Sequence, residues 1–293
     1  MTHRRFRAMN TDIEIVTDGV SEETADHLCT LASSEFERYE QMFSRFRPDS
    51  ELSRLNHVRT MHPSPQLAEV VRLALAARET TGGAFDPTVH DAVVAAGYDT
   101  SFEWLERTRA AAGPRTRPAC GGGVTIDAFS GDITLDPGVR LDLGGIAKGY
   151  AADRVADLVG EQASCMVNAG GDVAVCGAPQ EGAWNVGITR GDGTVMTLAL
   201  VRGGLATSGN DRRRWRIGGT DAHHLIDPTT SAPATTDLIR ATAVAKSAAE
   251  AEVWAKRFFL AGREQAVRAA DREQVPAVLV DVTNATYLAG GLQ

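Results

Sequence analysis

Apolar residues recur along this chain with two periods, one near 3.6 and one of 2, and the switches between them mark out the elements. From Glu22 to Met42 the apolar positions Ala25, Leu28, Ala32, Phe36 and Tyr39 fall on one face of a helix. Ser21 stands at its N-cap, with Thr24 three residues later where a capping box would place glutamate. Pro65 to Thr80 gives a second helix, apolar enough through Leu67, Val70, Val71, Leu73 and Leu75 to be well buried, and stopped at Gly82-Gly83. Ala147 to Val159 gives a third, with Ala151, Val155 and Leu158 on one side. Ser247 to Leu260 reads as the last, with Ala251, Trp254, Ala255 and Phe258. Strand-like alternation occupies Asp12 to Thr17 and a hairpin at Val124 to Leu135 around Gly131-Asp132. Short strands follow at 166–167, 173–175, 184–189, 197–201 and 204–208, separated by glycine-rich turns, and 277–282 reads as a closing strand. Asp99 to Pro118 is irregular, broken at Gly113-Pro114. Helices beside mainly antiparallel strands make the fold class α+β, and 293 residues with no internal repeat are read as a single domain over 1–293.

The segment LDLGGIAKGYAADRV, Leu141 to Val155, stands out because an apolar run ending at Asp142 meets a glycine turn and then a helix. Gly144 and Gly145 free the backbone to turn, and a helix N-terminus with Lys148 in its first turn suits an anion. Taken alone, the same pattern is an ordinary strand-to-helix connection. A net charge of -8 argues against non-specific nucleic-acid binding, so an anionic ligand has to be held by local groups. The dense basic run Arg212, Arg213, Arg214 and Arg216 reads equally as a solvated loop or as a phosphate or partner contact. No stretch has the length and apolarity of a membrane span or of a signal-peptide core, so a cytoplasmic protein without membrane insertion is expected. The four cysteines, Cys29, Cys120, Cys165 and Cys176, have no C-x-x-C spacing and read as free, mostly buried thiols.

Five further segments stand in order around that junction: AMNTDIEI, FSRFRPDSELSRLN, GGAFDPTV, VNAGGDVAVCG, and ATSGNDRRRW followed by HLIDPTT. Together with LDLGGIAKGYAADRV they resemble the ApbE family of FAD:protein FMN transferases, from Arg5 to about Gly262. The resemblance implies a two-lobed, T-fold-related architecture with FAD held between the lobes. It implies a reaction that cleaves FAD, releases AMP and transfers FMN to a Ser or Thr hydroxyl in the flavinylation motif of an acceptor protein.

The resemblance also assigns residues. Met9, Phe46, Ala84, Phe85, Asp86, Asp142, Lys148, Ser208 and Leu225 fall on positions that contact FAD. Met9 suits an aromatic face but would equally serve as core packing. Asn10 stands where the family usually has glycine. Asp86 could accept from a ring N–H or cap the turn before Pro87. His224, in HLIDP, is the candidate general base that would deprotonate the acceptor hydroxyl, with adjacent His223 as the competing assignment. The family's magnesium ion takes a backbone carbonyl, here near Gly145, and an aspartate and threonine four residues apart on the last helix. This chain has Glu252 and Lys256 at those two places. Glu252 can ligate a hard cation; Lys256 carries donors only, and either supplies the missing positive charge or pairs with Glu252 along the helix. A non-catalytic flavin-binding paralogue and an FAD pyrophosphatase using water as acceptor remain open beside the transferase.

Overall fold

The chain is described by a computed structural model covering residues 1–105, 108–109, 118–190 and 193–292. Gly113 and Pro114 lie outside the described residues.

Strands β1 (Thr2–Ala8) and β2 (Thr11–Asp18) form an antiparallel hairpin, in which Ala8 pairs Thr11 and Met9-Asn10 make the turn. The alternation beginning at Asp12 marks only the second strand, because the first, THRRFRA, exposes its basic side chains and buries little. Helix α1 (Glu22–Phe43) follows, its Thr24 N–H donating to Ser21 Oγ at 3.2 Å, as the cap required. Phe36 packs edge-on to Phe6 at 5.7 Å between ring centroids. Helix α2 (Glu51–Val58), which its short polar sequence concealed, is capped by Ser50 and ends at Arg59 in the left-handed region. Strand β3 (Thr60–Met61) precedes α3 (Pro65–Thr80), where Ser64 Oγ accepts from Leu67 N and Pro65 opens the helix. Gly82 and Gly83 take φ of +62° and +84°, and the Gly83 N–H returns to Arg78 O at 2.8 Å, closing the helix as the glycine pair predicted. Helix α4 (His90–Ala95), β4 (Thr108–Arg109) and the β5 (Val124–Ile126) to β6 (Ile133–Leu135) hairpin come next, and β6 also pairs β3.

Leu141–Leu143 is not a strand, contrary to the apolar pattern. The side-chain amide of Asn56 brackets Leu141 instead, donating to its carbonyl at 2.9 Å and accepting from its N–H at 2.7 Å, while the Asp142 N–H donates to Pro87 O. These three backbone groups are paired without a ladder, and Leu141 and Leu143 are buried in loop geometry.

Helix α5 (Ala147–Gly160) leads to β7 (Ser164–Ala169), β8 (Asp172–Cys176), the β9 (Trp184–Arg190) to β10 (Gly193–Leu200) hairpin and β11 (Gly203–Gly209). The β12 (Arg214–Ile217) to β13 (Thr220–His223) hairpin, β14 (Ile226–Asp227), β15 (Ala232–Pro233) and β16 (Leu238–Ala245) follow. Helix α6 (Ala248–Ala261), capped by Ser247, is not the last: α7 (Arg263–Glu273) comes after it. Strand β17 (Ala277–Asp281) is likewise followed by β18 (Thr286–Ala289), which closes the sheet.

The chain divides into two compact units, the first made of 1–40, 146–208 and 237–293, the second of 41–145 and 209–236. The first holds an eight-stranded sheet in the order β1-β2-β7-β8-β11-β16-β17-β18. Helices α5 and α6 pack together over it, and the β9–β10 hairpin sets Trp184, Val186, Ile188 and Leu200 against Val173, Val175, Leu205 and Val278. Val173 and Val175 face that hairpin, so the alternation of a strand sends Asp172, Ala174 and Cys176 toward the helices. The second unit is built around Ala92, Val93, Tyr98, Leu105, Trp215, Ala222 and Ile226. All four thiols are free, but only Cys165 is fully buried; Cys29, Cys120 and Cys176 are partly exposed.

Candidate functional site

In the second unit, Phe46 and Asp142 are organised by a residue the sequence did not single out. The Arg45 side chain is 7% exposed, and its Nε lies 2.9 Å from Asp142 Oδ2 while a terminal nitrogen donates to Tyr98 O at 2.7 Å. The guanidinium carbon stacks over the rings of Phe46 at 4.0 Å and Tyr98 at 4.7 Å. Asp142 Oδ1 meanwhile accepts from Gly144 N at 2.7 Å, which tightens the glycine turn. One planar cation therefore fixes the carboxylate and the aromatic ring together.

The GGAFDP segment is equally constrained. Thr81 Oγ1 accepts from Phe85 N, Phe85 is buried, and Ala84 beside it is partly exposed. Asp86 is buried and caps its own turn, Oδ1 accepting from Thr88 N at 2.8 Å and Thr88 Oγ1 at 2.7 Å, as the turn reading required. Its Oδ2 lies 3.7 Å from Arg78 Nε.

The two histidines separate clearly. His223 is buried, with Nε2 3.0 Å from Ala234 O and Nδ1 accepting from Leu225 N at 3.3 Å. The two contacts fit one neutral tautomer, protonated on Nε2, and burial pushes its pKa below the ordinary value. Both nitrogens serve the backbone around buried Leu225, so His223 is a poor proton acceptor for a substrate. His224 is only half buried. Asp227 braces the loop beyond it by accepting from Thr229 N and Oγ1.

In the first unit, Met9 and Asn10 both sit in the left-handed region, at φ of 50° and 57°. Asparagine tolerates that conformation; methionine there is strained, and its N–H is held by Glu40 Oε2 at 2.6 Å. Ser208 is buried near the end of β11.

Lys148 and Glu252 meet in the same unit. Lys148 Nζ lies 2.7 Å from Glu252 Oε1 and 2.7 Å from Asp172 Oδ2. The second contact is an ion pair whose angles fall outside hydrogen-bond geometry, so Asp172 Oδ2 is buried without a hydrogen bond. Burial first, and then the neighbouring Glu252 carboxylate, push the Asp172 pKa up to about 6 against the pull of Lys148 and Lys256. Glu252 Oε2 accepts from Gly149 N at 3.1 Å, placing a carboxylate on an orphan N–H of the α5 N-terminus. Asp153 of α5 returns the arrangement, accepting from Ala248 N at 2.7 Å and Ala249 N at 3.0 Å at the start of α6. Each helix thus has its N-terminus capped by an acid of the other. They approach this closely because residue 149 is glycine: a Cβ there would lie 2.7 Å from the backbone of Ala248 and Ala249.

These contacts bear on magnesium. A hard cation of that size takes a near-octahedral set of oxygens. Here both oxygens of Glu252 are engaged by donors of α5, an ammonium lies between the two carboxylates, and half-buried Lys256 brings more positive charge one turn along α6. No group of three or more His, Cys, Asp or Glu among the described residues is arranged to hold a metal. The residues present do not fit the ion.

Arg45, Asp153 and Asp172 escaped the sequence reading. Asp172 carried a usable signal: an acid on the buried face of an apolar strand needs a cation opposite it. Arg45 carried none, since an arginine beside an aromatic in a polar loop is usually solvated.

The ApbE family model matches residues 9–279. An FAD:protein FMN transferase of Klebsiella pneumoniae is 30% identical over 290 residues, spanning 94% of this chain and 83% of the relative. One from Salmonella typhimurium is 27% identical over 288 residues, with 94% and 82% covered. Among solved structures, the ApbE protein of Thermotoga maritima superposes with a TM-score of 0.87 at 26% identity over 98% of this chain and 96% of that one. The flavin transferase ApbE from Vibrio cholerae gives 0.77 at 26% identity, with the same coverage.

Proposed function

The chain belongs to the ApbE family, and from that premise we propose that it is an FAD:protein FMN transferase. The observation that carries the reading is the full-length relationship: a transferase 30% identical across 94% of this chain leaves no separate segment to which a different activity would belong.

In the proposed reaction the oxygen of an acceptor Ser or Thr attacks the phosphorus next to riboflavin. The bond from that phosphorus to the bridging oxygen breaks, and AMP leaves with the bridging oxygen on its phosphate. His224 accepts the hydroxyl proton. Its neighbour His223, already committed to two backbone partners, keeps the HLIDP loop in place. In the second unit Phe46, Ala84, Phe85 and Leu225 supply apolar surface for FAD and Asp86 and Asp142 polar contacts; in the first, Met9 supplies an apolar and Ser208 a polar contact. Lys148 and Lys256 together supply positive charge for the pyrophosphate, against the two carboxylates that Lys148 already holds. The strain at Met9 supports a ligand-facing role, since a side chain kept at positive φ costs free energy that glycine at the same turn position would not. The acceptor is a protein with a Ser/Thr flavinylation motif, and the free thiols agree with placing the reaction in the cytoplasm.

Incubation with FAD and a candidate acceptor, followed by chromatography of AMP and mass spectrometry of the acceptor, tests the reading. FMN-labelled acceptor with AMP in equal amount is the expected result. AMP and free FMN without labelled acceptor would make the protein a pyrophosphatase. FAD binding with no AMP at all would make it a flavin carrier.

A further inference from the structure

We infer that the cation site between Asp172 and Glu252 is permanently filled by the Lys148 ammonium, and that the chain handles FAD without a divalent metal. The inference rests on the family reading for its dinucleotide and on the structure for everything else.

Two buried carboxylates converge on one point, Asp172 Oδ2 and Glu252 Oε1 each 2.7 Å from Lys148 Nζ. A divalent ion taking both oxygens would have to expel the ammonium from that point. Expulsion is costly, because the Lys148 side chain is only 15% exposed and its departure would strip buried Asp172 Oδ2 of the ammonium 2.7 Å from it. The second Glu252 oxygen is not available either, being committed to Gly149 N at the start of α5. The charge count points the same way: two carboxylates already face Lys148 and, one turn along α6, Lys256, whose field reaches Asp172. A divalent cation added to that set would meet ammonium groups and no uncompensated anion. A covalently tethered charge at this point needs no binding equilibrium and has no open coordination positions.

The site is Asp172 on β8, Lys148 on α5, and Glu252 and Lys256 on α6. All four lie in the first unit, and the reciprocal caps between α5 and α6 hold their spacing.

Manganese titration followed by electron paramagnetic resonance, with magnesium calorimetry beside it, reads the site directly on the intact FAD-free chain and again with FAD bound. The wild type is expected to show no saturable ion binding below millimolar concentration in either state, and AMP release from FAD is expected to be the same in chelator as in magnesium. Lys148→Met keeps the length and apolar stem of the side chain and removes only its charge. It is expected to raise manganese affinity at least about tenfold by uncovering the two carboxylates. Stoichiometric micromolar manganese binding by the wild type overturns the inference, and so does a folded Lys148→Met protein that binds no more tightly than wild type. If that variant does not fold, the wild-type titration decides alone. Because the titration needs no turnover, a protein that fails to transfer FMN yet excludes manganese would sink the transferase reading and leave this one standing.

Discussion

Arg45 offers the sharpest test of how the second unit holds its flavin-directed residues. Arg45→Ala removes three things at once: the partner of largely buried Asp142, whose side chain is 12% exposed, the donor to Tyr98 O, and the plate stacked on Phe46 and Tyr98. Breaking a buried ion pair from one side costs about 3–5 kcal/mol, much of it the penalty of the charge left behind. Loss of a desolvated cation–π contact adds about 1–2 kcal/mol, though the terms share one side chain and do not sum fully. Much of the loss is therefore stranded charge, which Asp142→Asn removes. The double variant is expected to recover about 1–3 kcal/mol relative to additive single changes. Arg45→Lys keeps the charge but neither the fork nor the plane and should fall between wild type and Arg45→Ala. Urea unfolding followed by tryptophan fluorescence suits the measurement, since Trp215 lies 5.4 Å from the Tyr98 ring. A loss below about 1 kcal/mol for Arg45→Ala, or additive effects in the cycle, would show that the pair is solvated and that Arg45 organises nothing.

Gly149→Ala pushes a methyl into the backbone of Ala248 and Ala249 and should cost about 1–3 kcal/mol or more, read as a lowered thermal midpoint. Asp153 is raised to about 6, chiefly by burial, so the native state keeps a proton on it that the unfolded chain releases near its ordinary value. Between those two values the native form binds more protons, and this residue's contribution to stability falls as pH rises from about 4 to about 6. Asp153→Asn should flatten that slope in denaturation midpoints measured across the window, and an unchanged slope would contradict the shift. His224→Ala should slow FMN transfer about 10²- to 10⁴-fold with FAD affinity and melting nearly unchanged, whereas His223→Ala should chiefly lower the melting temperature. The reverse pattern would exchange the two roles. Met9→Gly should stabilise the β1–β2 turn by relieving a positive φ while weakening FAD binding in a fluorescence titration; unchanged binding would reduce Met9 to a turn residue.

What the sequence made legible follows from where the determinants lie. Helices with a continuous apolar face, α1, α3, α5 and α6, were visible because burial along one stripe imposes a 3.6-residue period. The first unit's central strands were visible for the corresponding reason, and Ser21, Ser247 and the Gly82-Gly83 stop gave boundaries good to a residue. Elements that bury little of themselves were not visible. Helix α7 buries only alanines, at Ala266, Ala269 and Ala270, and β1 turns arginines outward. Leu141–Leu143 failed in the opposite sense: its apolar pattern was real, but Asn56, 85 residues away, supplied the hydrogen bonds a neighbouring strand would have given.

The candidate site divides along the same line. Motif residues could be named from order and spacing, yet the groups that set their chemistry were not among those that spacing named as partners: Asp172 and Glu252 around Lys148, Arg45 between Phe46 and Asp142, Leu225 and Ala234 on His223. The Lys148 cluster shows why this matters. By sequence, Glu252 and Lys256 are an i, i+4 pair on one helix face. In the fold, the glutamate turns both oxygens to another helix, and its cation comes from residue 148. An acid and a base four residues apart satisfy each other only when nothing better is near. Here the α5 N-terminus, with a backbone N–H free of intrahelical bonding and an ammonium on the adjacent residues Gly149 and Lys148, is a stronger electrostatic partner than the next turn of Glu252's own helix. The substitution at position 256 therefore cannot be understood as a change to one ligand. It sits beside a pair of carboxylates of which Lys148 neutralises one charge, so a second ammonium balances the other, whereas an oxygen ligand would add to the negative charge.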